Sequence, residues 1–257
     1  MILLKEIMNP LKLKNSKELV TIVGAGGKTT AMFSLAKELK SLGKRVLVTT
    51  TTAIYKPPAT DYDRLYVGEK PGIPKDKGKN DVPEHSGEIV VWGRETDNQG
   101  KIRGVAPEEI DEIWKEQYFS WILVEGDGAK GKSIKAPRDK EPVIPSKTTL
   151  LIGVIGMQVL GKPIEESRVH RVEYFTEITG RKKDDLIDES VLQRLILHEK
   201  GLFKETPPGA KKVLLLNQCE DTEIRNRAIS LAKSLSLSYL VTSLQKQKVY
   251  DAKGIID

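Results

Sequence analysis

Leu19-Val20-Thr21-Ile22-Val23-Gly24-Ala25-Gly26-Gly27-Lys28-Thr29-Thr30 decides how the rest of the chain is read. Its first five residues are β-branched or aliphatic and predict a buried strand over Leu19–Val23. Three glycines within four positions follow, and then Lys28 opens a helix expected over Thr29–Leu42, with Gly43 as its stop. Glycines let backbone N–H groups approach an anion with no Cβ in the way. A helix N-terminus adds unpaired donors and a partial positive charge. Gly24, Ala25, Gly26, Gly27, Lys28, Thr29 and Thr30 are therefore expected to grip the phosphates of ATP or GTP. Lys28 would reach the β- and γ-phosphates as a catalytic group, and the Thr29 hydroxyl would ligate Mg²⁺.

The usual phosphate-loop pattern G-x-x-x-x-G-K-[ST] requires glycine at position 22, where this chain has Ile22. The loop instead resembles the shorter G-T-x-G-K-T-T form of the Mur ligases and the deviant glycine-rich loops of other P-loop families.

Outward from this loop, Val/Ile/Leu-rich runs alternate with longer helical stretches, the pattern of a parallel sheet wrapped by helices. Strands are expected at Arg45–Thr50, Trp121–Glu125, Thr148–Val154, Val213–Asn217 and Ser238–Val241. Helices are expected at Pro107–Glu116, near 168–178, near 188–199 and near 222–235. Prolines, glycines and lysines crowd residues 69–87, a loop composition. Glu88–Arg94 and Lys101–Val105 flank Asp97-Asn98-Gln99-Gly100 and are read as a hairpin. The expectation is a single P-loop NTPase-like α/β domain over 1–257: a mostly parallel sheet flanked by helices, with a loop and β-hairpin insertion at about 69–105.

Trp121-Ile122-Leu123-Val124-Glu125-Gly126-Asp127-Gly128 places two acids where a core strand ends. A nucleotide site needs a carboxylate there for the Mg²⁺ hydration shell. Glu125 fits the metal position, and Asp127 is placed to orient a water or sense the γ-phosphate. Spacing alone leaves open which acid serves the metal. Five basic residues (Lys130, Lys132, Lys135, Arg138 and Lys140) follow within 129–140, against the single acid Asp139. Solvated charge is the ordinary explanation of such a run. Thr49–Thr52 puts four hydroxyls at the carboxyl edge of the sheet. Asn217-Gln218-Cys219-Glu220-Asp221 resembles the N-K-x-D guanine-recognition motif, with Gln218 for the lysine and Glu220 for the aspartate. Asn217 is therefore a candidate for the nucleotide base, and the base itself stays open between adenine and guanine. Cys219 reads as core filler.

The 257 residues carry 42 basic and 36 acidic side chains, a net charge of +6 that suits an anionic ligand without requiring nucleic acid. Aromatics at 5% and the lack of a nucleic-acid motif argue against stacking on single strands. No apolar run is long enough to span a bilayer, and the N-terminus lacks a signal-peptide pattern. One cysteine excludes an internal disulfide framework. These features point to the cytoplasm.

The segments VGAGGKTT, VLVTTTTAIYKP, VEGDGAKGKSIKAP with its trailing EPVIP, VHR at 169–171 and HEKGLFKETPPGAKKVLLLNQ together resemble the selenium-dependent hydroxylase accessory protein family (YqeC). The similarity runs from about Leu19 to Asn217. It implies a P-loop protein associated with molybdenum hydroxylases that need labile selenium. By position it implies a site of Gly24, Gly27, Lys28, Thr29, Glu125, Asp127, Lys135 and His170-Arg171. Asn217-Gln218 departs from the Asn-Lys usual there. The leading expectation is an NTP-dependent maturation factor whose partner is such a hydroxylase or its cofactor. A small-molecule kinase or ATP-dependent ligase, and a non-catalytic nucleotide switch, are the alternatives.

Overall fold

The computed structural model describes residues 17–72 and 87–254. Part of the proline- and lysine-rich stretch expected as a loop (73–86) lies outside the described residues. Thirteen strands occur among those described: β1 (Glu18–Gly24), β2 (Arg45–Thr50), β3 (Ala53–Tyr55), β4 (Arg64–Val67), β5 (Glu88–Gly93), β6 (Lys101–Arg103), β7 (Trp121–Glu125), β8 (Ile134–Lys135), β9 (Leu150–Gly156), β10 (Val169–His170), β11 (Lys211–Asn217), β12 (Ser238–Ser243) and β13 (Lys248–Lys253). The α-helices are α1 (Lys28–Ser41), α2 (Pro107–Glu116), α3 (Val172–Thr179), α4 (Glu189–Leu197) and α5 (Thr222–Ser234).

Nine strands form one sheet in the order β13-β12-β11-β9-β1-β7-β2-β5-β4. Every neighbouring pair is parallel except β12–β13, an antiparallel edge. The expected α/β architecture, a mostly parallel sheet flanked by helices, is what the chain adopts.

β1 is central and buried along its whole length, which is why it reads as a nearly continuous apolar run. Its side chains alternate between the two faces. Val20 and Ile22 pack with Met32, Leu35 and Leu39 of α1, whereas Val23 joins the cluster beneath α3, α4 and α5, and Leu19 the one beneath α2. Polar Thr21 is tolerated there because its hydroxyl pairs with that of Thr148 at 2.8 Å.

The carboxyl ends of the central strands meet at one edge. Ile22 and Thr50 both lie beside Glu125, Gly24 beside Val154, and Asn217 beside Gly156. A parallel sheet binds its ligands at this edge.

The hairpin around residues 97–100 takes a different form from the one expected. The chain does turn back there: Asp97 N–H donates to Lys101 O, and Arg94 N–H to Arg103 O. Its first arm, β5, is nevertheless a strand of the main sheet beside β2, and its second, β6, pairs antiparallel with β3. The run IVVWG of β5 is buried, so it has the composition of a core strand. No helix among the described residues is long and apolar enough to cross a membrane.

Candidate phosphate site

β1 runs straight into the glycine loop. Gly26 has φ +92°, and a Cβ there would lie 2.2 Å from the Gly156 amide nitrogen. Gly27 has φ +127°, and a Cβ would meet the Asn217 side-chain nitrogen at 2.5 Å. Side chains at either position are excluded by backbone and by space together.

The donors of the loop divide into two groups. Gly24 N–H donates to Asp127 Oδ2 (3.1 Å), Ala25 N–H to Val154 O (2.9 Å) and Gly26 N–H to Lys132 O (3.1 Å). These three amides shape the loop. Gly27 caps α1, and among the described residues no side-chain cap bond closes that helix end. An α-helix leaves its first N–H groups without intrahelical acceptors. The donors aimed out of the loop are thus those of the first turn, Gly27 to Thr30.

Lys28 is only 4% exposed and folds back on the loop. Its ammonium donates to Gly24 O at 2.7 Å and stands 3.3 Å from Asp127 Oδ1 and 3.7 Å from Glu125 Oε1. Burial opposes its charge, but Asp127 and Glu125 outweigh burial and hold its pKa above the ordinary lysine value. Thr29, on the exposed side of the helix, donates its hydroxyl to Glu125 Oε2 at 2.7 Å. Burial pushes the Glu125 carboxyl above its ordinary value in spite of Lys28 and Thr29. Asp127 Oδ1 is buried and receives no hydrogen bond of good geometry.

Thr29 Oγ1 and Glu125 Oε2 are hard oxygens side by side at the sheet edge, the kind of donor set that suits Mg²⁺. That ion commonly takes one or two protein oxygens and fills its shell with water and phosphate. Among the described residues there is no cluster of three or more His, Cys, Asp or Glu, the pattern of an all-protein metal cage.

The remaining sequence candidates fall in two places. Lys135 lies near the loop but is 1% exposed, bonded to Gly128 O (2.9 Å) and Glu141 Oε2 (2.7 Å) and 3.0 Å from Asp127 Oδ2. Asn217 reaches the loop from β11. Its Nδ2 donates to Gly26 O (2.7 Å), while Oδ1 accepts from Thr242 Oγ1 (3.1 Å) and Leu244 N–H (3.0 Å). Its amide braces the loop. Asp221 caps α5 by accepting from Ile224 N–H, which leaves Glu220, bonded to Ser243, as the nearby acid facing the end of β12. The Thr49–Thr52 hydroxyls stitch the edge together through Trp92 O, Glu125 O, Val143 O and one another. His170 stays neutral near physiological pH, since burial and the Arg171 and Lys135 charges lower its pKa to about 4.

The sequence matches the YqeC protein family over residues 20–173. A relative from Escherichia coli (strain K12), the uncharacterized protein YqeC, is 35% identical over 207 residues, covering 79% of this chain and 77% of its own length. The chain belongs to the YqeC family. The matched span holds the phosphate loop, Glu125, Asp127, Lys135, His170 and Arg171, and leaves Asn217 outside it. Among solved structures, chloroplast FtsY from Physcomitrella patens aligns with 94% of this YqeC-family chain and 56% of its own length, at 16% identity and a TM-score of 0.33. The chain thus spans little more than half of that protein, and so slight a likeness carries no argument about the site.

Glu141 is the residue that sequence reasoning passed over. It binds Lys135 and takes both arms of the Arg171 guanidinium. The available signal was a second acid after Asp139, in Glu141-Pro142-Val143-Ile144-Pro145, closing a basic run.

Proposed function

We propose that this protein binds a Mg²⁺–nucleoside triphosphate at Gly24–Thr30 and hydrolyses it, and that turnover assists maturation of a selenium-dependent molybdenum hydroxylase. The observation that carries the reading is the uncapped first turn of α1 with Lys28 and the Thr29–Glu125 pair gathered at its mouth. The hydroxylase role rests on the family resemblance.

The amides of Gly27 to Thr30 receive the phosphate oxygens. Lys28 exchanges Gly24 O for the β- and γ-phosphates, and Thr29 and Glu125 are the residues that would hold the Mg²⁺. The metal supplies charge neutralisation on the phosphates. Once Lys28 has turned away, Asp127 Oδ1 is free to orient a water. That water attacks the γ-phosphorus, the bond to the β–γ bridging oxygen breaks, and nucleoside diphosphate, inorganic phosphate and a proton leave. Steady phosphate release from ATP or GTP, reduced at least ~100-fold in Lys28→Ala, is the expected result. A bound nucleotide that never turns over, with or without a candidate hydroxylase, would contradict hydrolysis and favour a switch.

One observation favours a second reading, a small-molecule kinase or ligase. A groove of ≈ 330 Å³ begins at Thr29 and Thr30 and runs along α1 past Phe33 and Ser34, walled by Tyr55 and Lys56. An acceptor seated there would lie next to the phosphate loop, and a phosphorylated or ligated product would appear by mass spectrometry.

A further inference from the structure

We propose that Arg171, Glu141 and Lys135 are positioning residues: an ion relay, buried at Lys135 and Glu141 and partly buried at Arg171, that holds Asp127 beneath the phosphate loop and so sets the loop's shape. The nucleotide part of this inference rests on the phosphate-loop reading above.

The relay is continuous. Arg171 forks onto both oxygens of Glu141, with Nη2 2.6 Å from Oε1. Glu141 Oε2 accepts from Lys135 Nζ at 2.7 Å, and Lys135 Nζ stands 3.0 Å from Asp127 Oδ2. The same Oδ2 accepts the Gly24 N–H. Backbone pairing aligns the two ends, because β8 and β10 are parallel with His170 opposite Lys135.

An ammonium has three donors. Two of Lys135's go to Gly128 O and Glu141, and its charge stands 3.0 Å from Asp127 Oδ2. The family resemblance places Lys135 in the site, yet its side chain is 1% exposed and its ammonium faces Gly128 O, Glu141 and Asp127. Its contribution is made through Asp127.

Burying ions costs several kcal/mol each before pairing, and apolar side chains often fill such a volume with equal stability. What apolar side chains cannot do is anchor a carboxylate. Asp127 lies between two cations, with Lys28 beside Oδ1 and Lys135 beside Oδ2. When Lys28 turns to the phosphates, Lys135 is the cation that stays beside Asp127 Oδ2, the atom bonded to Gly24. Arg171 and Glu141 hold Lys135 there in turn. Arg171 itself is fixed at the start of α3 with φ +66°.

The test uses the full chain labelled with ¹⁵N, as wild type, as the charge-balanced pair Lys135→Met/Glu141→Gln, and as Arg171→Lys. The Gly24 amide resonance is read without nucleotide, and Mg–ATP and Mg–GTP are then titrated calorimetrically. In the folded pair the Gly24 amide should shift upfield. Affinity should fall about tenfold, the scale of loosening one charge-assisted hydrogen bond. Arg171→Lys keeps the charge and loses the fork, so it should lie between the pair and wild type. If the pair does not fold, the comparison of Arg171→Lys with wild type decides by the same two readouts. A Gly24 resonance that stays at its wild-type position in a folded variant overturns the relay, and so does an affinity change below about twofold. Wild type that binds neither nucleotide sinks the proposed function instead, and the Gly24 measurement still decides the relay.

Discussion

At the scale of single residues, Lys28 and Thr29 are already engaged by partners within the site. Lys28 bonds to Gly24 O, and Thr29 to Glu125. Phosphate must therefore compete with internal partners, which makes its binding sensitive to protonation. Glu125 is held above its ordinary pKa by burial, so below that raised value it is protonated and cannot serve a cation. The Mg²⁺-dependent part of nucleotide affinity should rise as pH increases through the Glu125 titration and then level off, in calorimetric titrations with and without Mg²⁺. Glu125→Gln should remove this dependence. Asn217→Ala leaves Gly26 O and Leu244 N–H without a partner, so denaturant unfolding should register a loss of roughly 2–3 kcal/mol. Cys219 is buried with its thiol pushed up to about 12, so it should not react with thiol reagents at pH 8 until the protein unfolds. The meeting of Lys28, Thr29 and Glu125 was legible because each stands at a fixed offset from a glycine loop or a strand end. The double use of Asn217 was not, since its partners lie near residues 26 and 243 and no local pattern brings them together.

At the scale of elements, periodicity revealed the buried pieces and missed the thin ones. Trp121–Glu125 begins with its apolar run and ends one residue past it, on a buried acid, because both faces of β7 are covered. β5 was read as half of a hairpin insertion, because the turn signal at Asp97–Gly100 is strong and local while its pairing with β2 is distant in sequence. β8 and β10 are two residues each, too short for any period, yet they align Lys135 with His170. β13, an edge strand with lysine at both ends, carries no buried run to betray it. The junction of β1 and α1 is the element most exposed to mutation. Gly26→Ala puts a Cβ onto Gly156 at a φ that disfavours it, which should lower stability by roughly 1–3 kcal/mol in denaturant unfolding and weaken nucleotide binding with it.

At the scale of the whole molecule, the parallel sheet gathers the ends of β1, β7, β9 and β11, and the paired ions around Glu141 fasten the segment after β7 to the start of α3. Glu141 is held down to about 2 by Arg171 and Lys135 acting against burial. A carboxyl depressed in the folded state stabilises above its unfolded pKa and loses that contribution as pH falls towards the folded one. Wild type should thus lose stability on acidification from the ordinary glutamate range down to about pH 2, and Glu141→Gln should flatten that slope in urea melts taken at successive pH values. The fold class was legible in the alternation of apolar runs and helices, whereas this cross-link was not, because the sequence shows only a basic run with two acids, Asp139 and Glu141. The central claim remains that the first turn of α1, with Lys28 beside it, receives a triphosphate. Calorimetric titration of ATP and GTP, with and without Mg²⁺, tests it most directly on wild type and Lys28→Ala. Saturable Mg²⁺-dependent binding of at least one nucleotide, weakened at least about tenfold in Lys28→Ala, is the predicted result. No heat of binding for either nucleotide, or equal affinity in the two proteins, would contradict it.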